Sequence, residues 1–178
     1  MSPHRILLLS GSTRAGSTNT ALLRAAVQVA GPGVTCRLWT DLTALPHFDP
    51  DDDVDPPPPA VAAMRAAIAD ADAVLVCTPE YAGALPGSFK NLLDWTVGGT
   101  ETSGKPFAWA NASGRPGGAA GAHEELRVVL SYTGATVVDA ACRAIPVGRA
   151  DIVDGVVVDE GARAALADAL QALADAAS

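Results

Sequence analysis

Aromatic residues are scarce in this chain, at 4% of 178 positions. Its core must therefore be built mostly from Leu, Val, Ile and Ala, and flat surfaces for stacking are confined to a few places. Lysine is scarcer still: only Lys90 and Lys105 occur, and the arginines are scattered. With 12 basic against 20 acidic side chains, the formal net charge is -8. Nucleic-acid binding needs clustered cations, so no nucleic-acid partner is expected. Adhesion to an anionic membrane is disfavoured for the same reason. An anionic ligand would need a locally positive pocket.

Cysteine is limited to Cys36, Cys77 and Cys142, an odd and widely spaced set without C-x-x-C. Free thiols in a reducing compartment are the expectation. The apolar run after Arg5 is too short for a signal peptide, and no run approaches the ~20 apolar residues of a membrane span. A soluble, cytoplasmic protein without membrane insertion is expected.

Several catalytic signatures are also missing. The loop after the first apolar run lacks G-K-[ST], which disfavours triphosphate hydrolysis, and with glycines only at 11 and 16 it lacks G-x-G-x-x-G. His4, His47 and His123 are isolated, with no H-E-x-x-H, and Asp51 to Asp53 lack the order of a calcium loop. Ser113 is not in a G-x-S-x-G elbow. No metal and no indispensable side-chain acid or base is expected.

What is present is an alternation of strands and helices. Apolar runs at 5–10, 34–40, 73–77, 105–111 and 135–142 read as strands. Helical spacing marks about 18–30, 60–70, 89–95, 119–132 and 161–174. The continuous run Ala73–Cys77 indicates a strand covered on both faces, as in a parallel sheet. Residues 41–59 hold four consecutive prolines and an acid cluster, which mark an irregular surface excursion. The stretch "DGVVVDE" fits an edge strand or an extended connection. The pattern predicts one α/β doubly wound domain over 1–178: a five-stranded parallel sheet with helices on both faces.

Three strand-end loops carry the chemistry. The first, Ser10-Gly11-Ser12-Thr13-Arg14-Ala15-Gly16-Ser17-Thr18-Asn19, opens a helix. Unpaired N–H groups and a partial positive charge there suit an anion. Ser10, Ser12, Thr13, Arg14, Ser17, Thr18 and Asn19 add side-chain donors, with Thr18 or Asn19 as the expected helix cap. A terminal phosphate fits better than a bridging pyrophosphate; an ordinary capped turn with a solvated Arg14 is the plain alternative. The second loop, Pro79-Glu80-Tyr81-Ala82-Gly83, is pinned by prolines and leads into a helix bearing Lys90, Asn91, Asp94 and Trp95. Its exposed amides suit the polar edge of a flat ring, although Tyr81 and Trp95 could equally be packing aromatics. The third loop offers Ser113, Gly114, Arg115, Gly117 and Gly118. With strand order 2-1-3-4-5, the first two loops face one another across the switch point, where ligands of open α/β sheets bind.

Taken together, the motifs G-S-T-R-x-x-S-x-N and P-E-Y-x-G-x-x-P-G-x-x-K-N-x-x-D-W resemble those of the NADPH-dependent FMN reductase family. This is the flavodoxin-like group that includes quinone, azo-dye and chromate reductases. The similarity covers roughly residues 5 to 145. It implies an FMN phosphate at the first loop and an isoalloxazine ring between the Pro79–Gly83 loop and the 113–118 loop. It also implies hydride transfer from NADPH or NADH to FMN, then electron delivery to a quinone-like small acceptor. A homodimer, or a pair of dimers as a homotetramer, is implied as well, with the helix at Phe89–Trp95 near both partner and flavin. Family members often carry Asn where this chain has Ala82, and that departure would remove a side-chain partner of flavin or second substrate. An FMN electron carrier and a non-catalytic binding domain of the same fold are the competing functions.

Overall fold

A computed structural model describes residues 2–178. Parallel strands β1 (His4–Ser10), β2 (Val34–Trp39), β3 (Ala73–Cys77) and β4 (Pro106–Asn111) form the sheet in the order β2-β1-β3-β4. Its far edge is shared by two short strands, β5 (Thr136–Val137) and β6 (Arg143–Ala144), both paired with β4. Helices α1 (Thr18–Val29), α2 (Pro59–Ala69), α3 (Gly87–Asp94), α4 (Ala120–Tyr132) and α5 (Glu160–Ala176) cover the two faces.

The continuous apolar strands follow from that double cover. Ile6, Leu8, Leu75 and Cys77 face one layer, where Leu22 of α1 and Leu166 of α5 pack. Leu7, Leu9, Val74 and Val76 face the other, against Met64 of α2, Phe89 of α3 and Leu126 of α4. Every one of these side chains is essentially buried. Each large one contributes on the order of 2 kcal/mol by leaving water.

Two expectations need correction at the edges. The predicted strand at 135–142 pairs only at Thr136–Val137, because Asp139–Ala141 turns into a 3-10 helix before pairing resumes at Arg143. Asp and Ala are weak strand formers, and Asp139 is held outward by Arg127 at 2.5 Å. The "DGVVVDE" stretch contributes to an antiparallel hairpin, Ile152–Val153 with Val156–Val157, apart from the main sheet.

The proline-rich excursion is irregular, as its composition dictates, but firmly tied down. Arg65 of α2 reaches Asp53 at 2.8 Å and donates Nε to the Trp95 carbonyl at 2.7 Å. Among the described residues no helix is long and apolar enough to cross a membrane.

Candidate functional site

The sheet order reverses between β1 and β3, and a cavity of about 350 Å³ opens at the carboxyl ends of β1, β3 and β4. That is the size and position expected of a small-molecule site in an open α/β sheet. Thr18 and Asn19, Pro79 and Glu80, and Ser113, Arg115 and Gly118 all line it. Each of the three loops therefore contributes residues to one cleft. Gly11 allows the first two to meet: its N–H donates to the Cys77 carbonyl at 2.9 Å, and a Cβ there would collide with Thr78.

At the first loop the helix cap is Ser17, not Thr18 or Asn19. Its Oγ accepts from Thr20 N at 3.4 Å, which moves Thr18 and Asn19 into the first turn of α1. Their backbone N–H groups have no acceptor among the described residues. Burial pushes the Cys77 thiol up to about 12, so it stays protonated and donates to Asn19 Oδ1 at 3.2 Å. With its oxygen occupied, the Asn19 amide keeps two free N–H donors. Ser10, Ser12, Thr13 and Arg14 instead line a second cavity of about 170 Å³ between the ends of β1 and β2.

The second loop is a tight hairpin. Tyr81 and Ala84 exchange two backbone bonds, N to O at 3.0 and 3.1 Å, around Ala82 at φ 53° and Gly83 at φ 79°. Positive φ at both central residues defines a type I′ turn, for which Asn-Gly is favoured. Ala82 is thus the strained member, and the Asn common in the family would serve the backbone here. Replacing Ala82 by Asn is expected to raise stability by about 1 kcal/mol, read as a higher urea midpoint with an unchanged slope. Nothing of the protein lies within 4 Å of a Cβ built at Gly83, so among protein contacts this glycine answers the turn's dihedral. Tyr81 is 57% exposed at the hairpin, and Tyr81, Ala82 and Gly83 lie outside the cavity wall.

The hairpin's flanks are anchored on α4. That helix starts from Ala119 at φ 64° with no side-chain cap of its own. Glu80 supplies one, its Oε2 accepting from Ala122 N at 3.3 Å, while Glu125 accepts from Leu85 N at 2.6 Å. A carboxylate at a helix N-terminus is favoured by the macrodipole.

The second half of the long motif does something else. Asn91 Oδ1 accepts from Phe48 N at 2.7 Å, and its Nδ2 donates to the Pro46 carbonyl at 2.8 Å. Trp95 Nε1 donates to the same carbonyl at 2.9 Å, and the Phe48 ring meets the Trp95 ring edge-on at 5.0 Å. Trp95 is fully buried. Lys90 pairs with Asp94 one turn on at 2.5 Å. These residues clasp the excursion onto α3; none lines the cleft.

At the third loop the organiser is Asn111, absent from the sequence-derived set. Its Oδ1 accepts from Ser113 N at 2.9 Å and its Nδ2 donates to the Gly118 carbonyl at 2.7 Å, closing the loop like a drawstring. The N-x-S spacing of an Asx turn was the available signal. Thr78, Ala112, Ala119 and Val147 complete the wall and were likewise unforeseen. Gly114 and Gly117 belong to the loop but not to the cavity lining.

Behind the loop, His123 stacks on Trp109 at 5.2 Å, and the Arg127 guanidinium lies 5.0 Å from the Trp109 ring centre. The His123 Nε2 is buried without a partner, and burial lowers its pKa to about 4, against a smaller opposing pull from Glu80. Its folded pKa lies below the ordinary 6.5, so the unfolded chain takes up a proton first as pH falls. Stability should therefore drop by about 2 kcal/mol between pH 6.5 and 4. In His123→Phe, urea midpoints measured across that range should show a flatter acid limb.

Flavin mononucleotide combines a phosphate dianion with a flat ring edged by carbonyls and nitrogens. Free N–H donors at α1 and small apolar walls from Pro79, Ala112 and Val147 are consistent with it. Among the described residues no group of three His, Cys, Asp or Glu is placed to hold a metal.

Fold and cleft together define a flavodoxin-like α/β protein with a three-loop cleft at its switch point. The family described as NADPH-dependent FMN reductase matches residues 4–149, and the chain belongs to that family. An NAD(P)H-dependent FMN reductase of Pseudomonas aeruginosa is 37% identical over 130 residues, covering 72% of this chain and 70% of that protein. A 2-hydroxy-1,4-benzoquinone reductase of a Burkholderia species is 37% identical over 131 residues, with the same coverage. Among solved structures, the flavoenzyme NAD(P)H:acceptor oxidoreductase of Paracoccus denitrificans superposes with a TM-score of 0.84 at 29% identity. That match covers 98% of this chain and 97% of that one.

Proposed function

We propose that residues 1–178 form a single FMN-binding domain that oxidises NAD(P)H and reduces quinone-like acceptors. The observation that carries this is the convergence of Thr18 and Asn19, Pro79 and Glu80, and Ser113 and Arg115 on one cleft at the switch point. The N–H groups of Thr18 and Asn19 would receive the phosphate. Pro79 and Ala112 would flank the ring, while Ser113 and Arg115 would bond its polar edge. When bound, FMN supplies the two-electron chemistry; the chain supplies position and excludes water. Glu80 and Asn111, both committed to holding backbone, keep the walls rigid.

Two further assignments go with this reading. Cys36, Cys77 and Cys142 are all free, which suits the cytoplasm. Val128 and Tyr132, one turn apart on α4 and both exposed, offer apolar surface to a second copy in a dimer or dimer pair.

The test is a visible spectrum of protein reconstituted with FMN, followed by anaerobic addition of NADPH or NADH and then of a benzoquinone. Stoichiometric bleaching and recovery are expected. Binding of FMN without direct nicotinamide turnover would assign an electron carrier, and failure to retain FMN would assign a non-catalytic domain.

A further inference from the structure

One wall of the main cleft carries Pro79 and Glu80, and another carries Ser113, Arg115 and Gly118. Among the described residues no hydrogen bond runs directly between these two loops. What joins them is the start of α4. It continues the third loop through Ala119 and Ala120, and it receives the 80–85 hairpin on its side. Gly121, Ala122 and Glu125 make that seat. Gly121 and Glu125 are four residues apart and so share one helix face.

Gly121 is the informative residue. It stands between Ala120 and Ala122 in a helix, where alanine is the better helix former. A Cβ there would collide with the Gly83 carbonyl oxygen, with the Gly83 carbonyl carbon at 3.0 Å and Glu80 Oε2 at 3.2 Å. The carbonyl is held by the hairpin's paired backbone bonds and the carboxylate by Ala122 N, so neither swings aside freely. Glu125 closes the seat one turn on, accepting from Leu85 N at 2.6 Å where the hairpin leaves for α3. The hairpin is thus fixed at its entry by Glu80, at its tip by Gly83 and at its exit by Leu85. All three contacts are made to α4.

We propose that the start of α4 is the spacer that sets the distance between the two cleft walls, with Gly121 and Glu125 as positioning residues for the FMN ring. This rests on the reading that FMN lies in the cleft with its ring between those walls. Neither residue lines the cavity, so each acts through the hairpin. Lifting the hairpin off α4 carries Pro79 and Glu80 away from Ser113 and Arg115. A flat ring then loses close contact on one face, and dispersion falls steeply with such a gap. The donors at the first turn of α1 belong to a different element and stay in place.

The experiment compares the parent with Gly121→Ala, Glu125→Ala and Glu125→Gln, the last of which keeps an acceptor oxygen for Leu85 N. Fluorescence titration gives FMN affinity, and visible circular dichroism of FMN-saturated protein reports the surroundings of the ring. Urea midpoints and hydrogen exchange at the Leu85 amide are measured on the apoprotein. Gly121→Ala and Glu125→Ala should each weaken FMN binding about tenfold and alter the dichroism at saturation. Glu125→Gln should stay within about twofold of the parent in affinity, with the parent's dichroism. Exchange at Leu85 should quicken in both alanine variants and not in Glu125→Gln. Unchanged affinity and dichroism in Gly121→Ala, with a raised urea midpoint, mean that the methyl finds room, and they overturn the proposal. Faster Leu85 exchange in Glu125→Ala with FMN binding unaltered also overturns it, because the seat then serves stability alone. A parent that binds no FMN sinks the functional reading and this proposal with it, whereas equal binding by the parent and all three variants sinks only the proposal.

Discussion

Replacing Trp95 by alanine should destabilise the protein by about 4 kcal/mol, the cost typical of emptying a buried tryptophan site. Three losses combine there. The side chain is fully buried between the sheet and the excursion, its ring packs edge-on with Phe48, and its Nε1 satisfies the Pro46 carbonyl. Trp95→Phe keeps most of the apolar volume and loses the hydrogen bond, so about 1.5 kcal/mol is expected for it. Urea midpoints rank the two variants. FMN affinity in the folded fraction should change little for either, since Trp95 is absent from the cleft wall. Equal destabilisation by both variants would place the hydrogen bond, not the packing, at the centre of the clasp.

That separation of stability from binding shows where sequence reading reaches its limit. The K-N-x-x-D-W segment sits directly downstream of a ligand loop, and chain proximity invites a ligand role for it. Its true task depends on a segment more than forty residues upstream, Pro46–Phe48, whose placement no local pattern encodes. The strands β1 and β3 were legible for the opposite reason. Burial on both faces forces every position to be apolar, and the run Ala73–Cys77, bounded by turn residues and too short for a helix, carries that pattern. The far sheet edge was not, because β5 and β6 pair over two residues each and their register is fixed by β4.

The same contrast holds within the site. Residue types at the first loop announce an anion, but they do not say on which side of the loop each group falls. Ser17, Thr18 and Asn19 differ by one position each, yet one caps the helix and two line the cleft. Ser12, Thr13 and Arg14 line a neighbouring cavity instead. Asn111 escaped notice because its value lies in bonds to backbone at 113 and 118, which exist only once the loop has closed.

The sharpest consequence of the cap assignment concerns Asn19. Changing it to Asp alters one nitrogen to oxygen and leaves an acceptor for the Cys77 thiol. In the first turn of α1 a carboxylate meets the positive end of the helix dipole and unpaired N–H groups, so stability should rise by about 0.5 kcal/mol. A phosphate dianion at the same turn meets the opposite situation. It loses the amide donors and gains a negative neighbour; one pair of unit charges 4 Å apart near a surface already interacts by about 4 kcal/mol. FMN affinity should therefore fall at least 100-fold, about 3 kcal/mol, while the urea midpoint of the apoprotein holds or increases. Fluorescence titration of flavin against apoprotein gives the first number, and denaturation of the same sample gives the second. Because the two shifts carry opposite signs, misfolding cannot imitate the result. A variant that bound FMN as tightly as the parent would move the phosphate away from the first turn of α1.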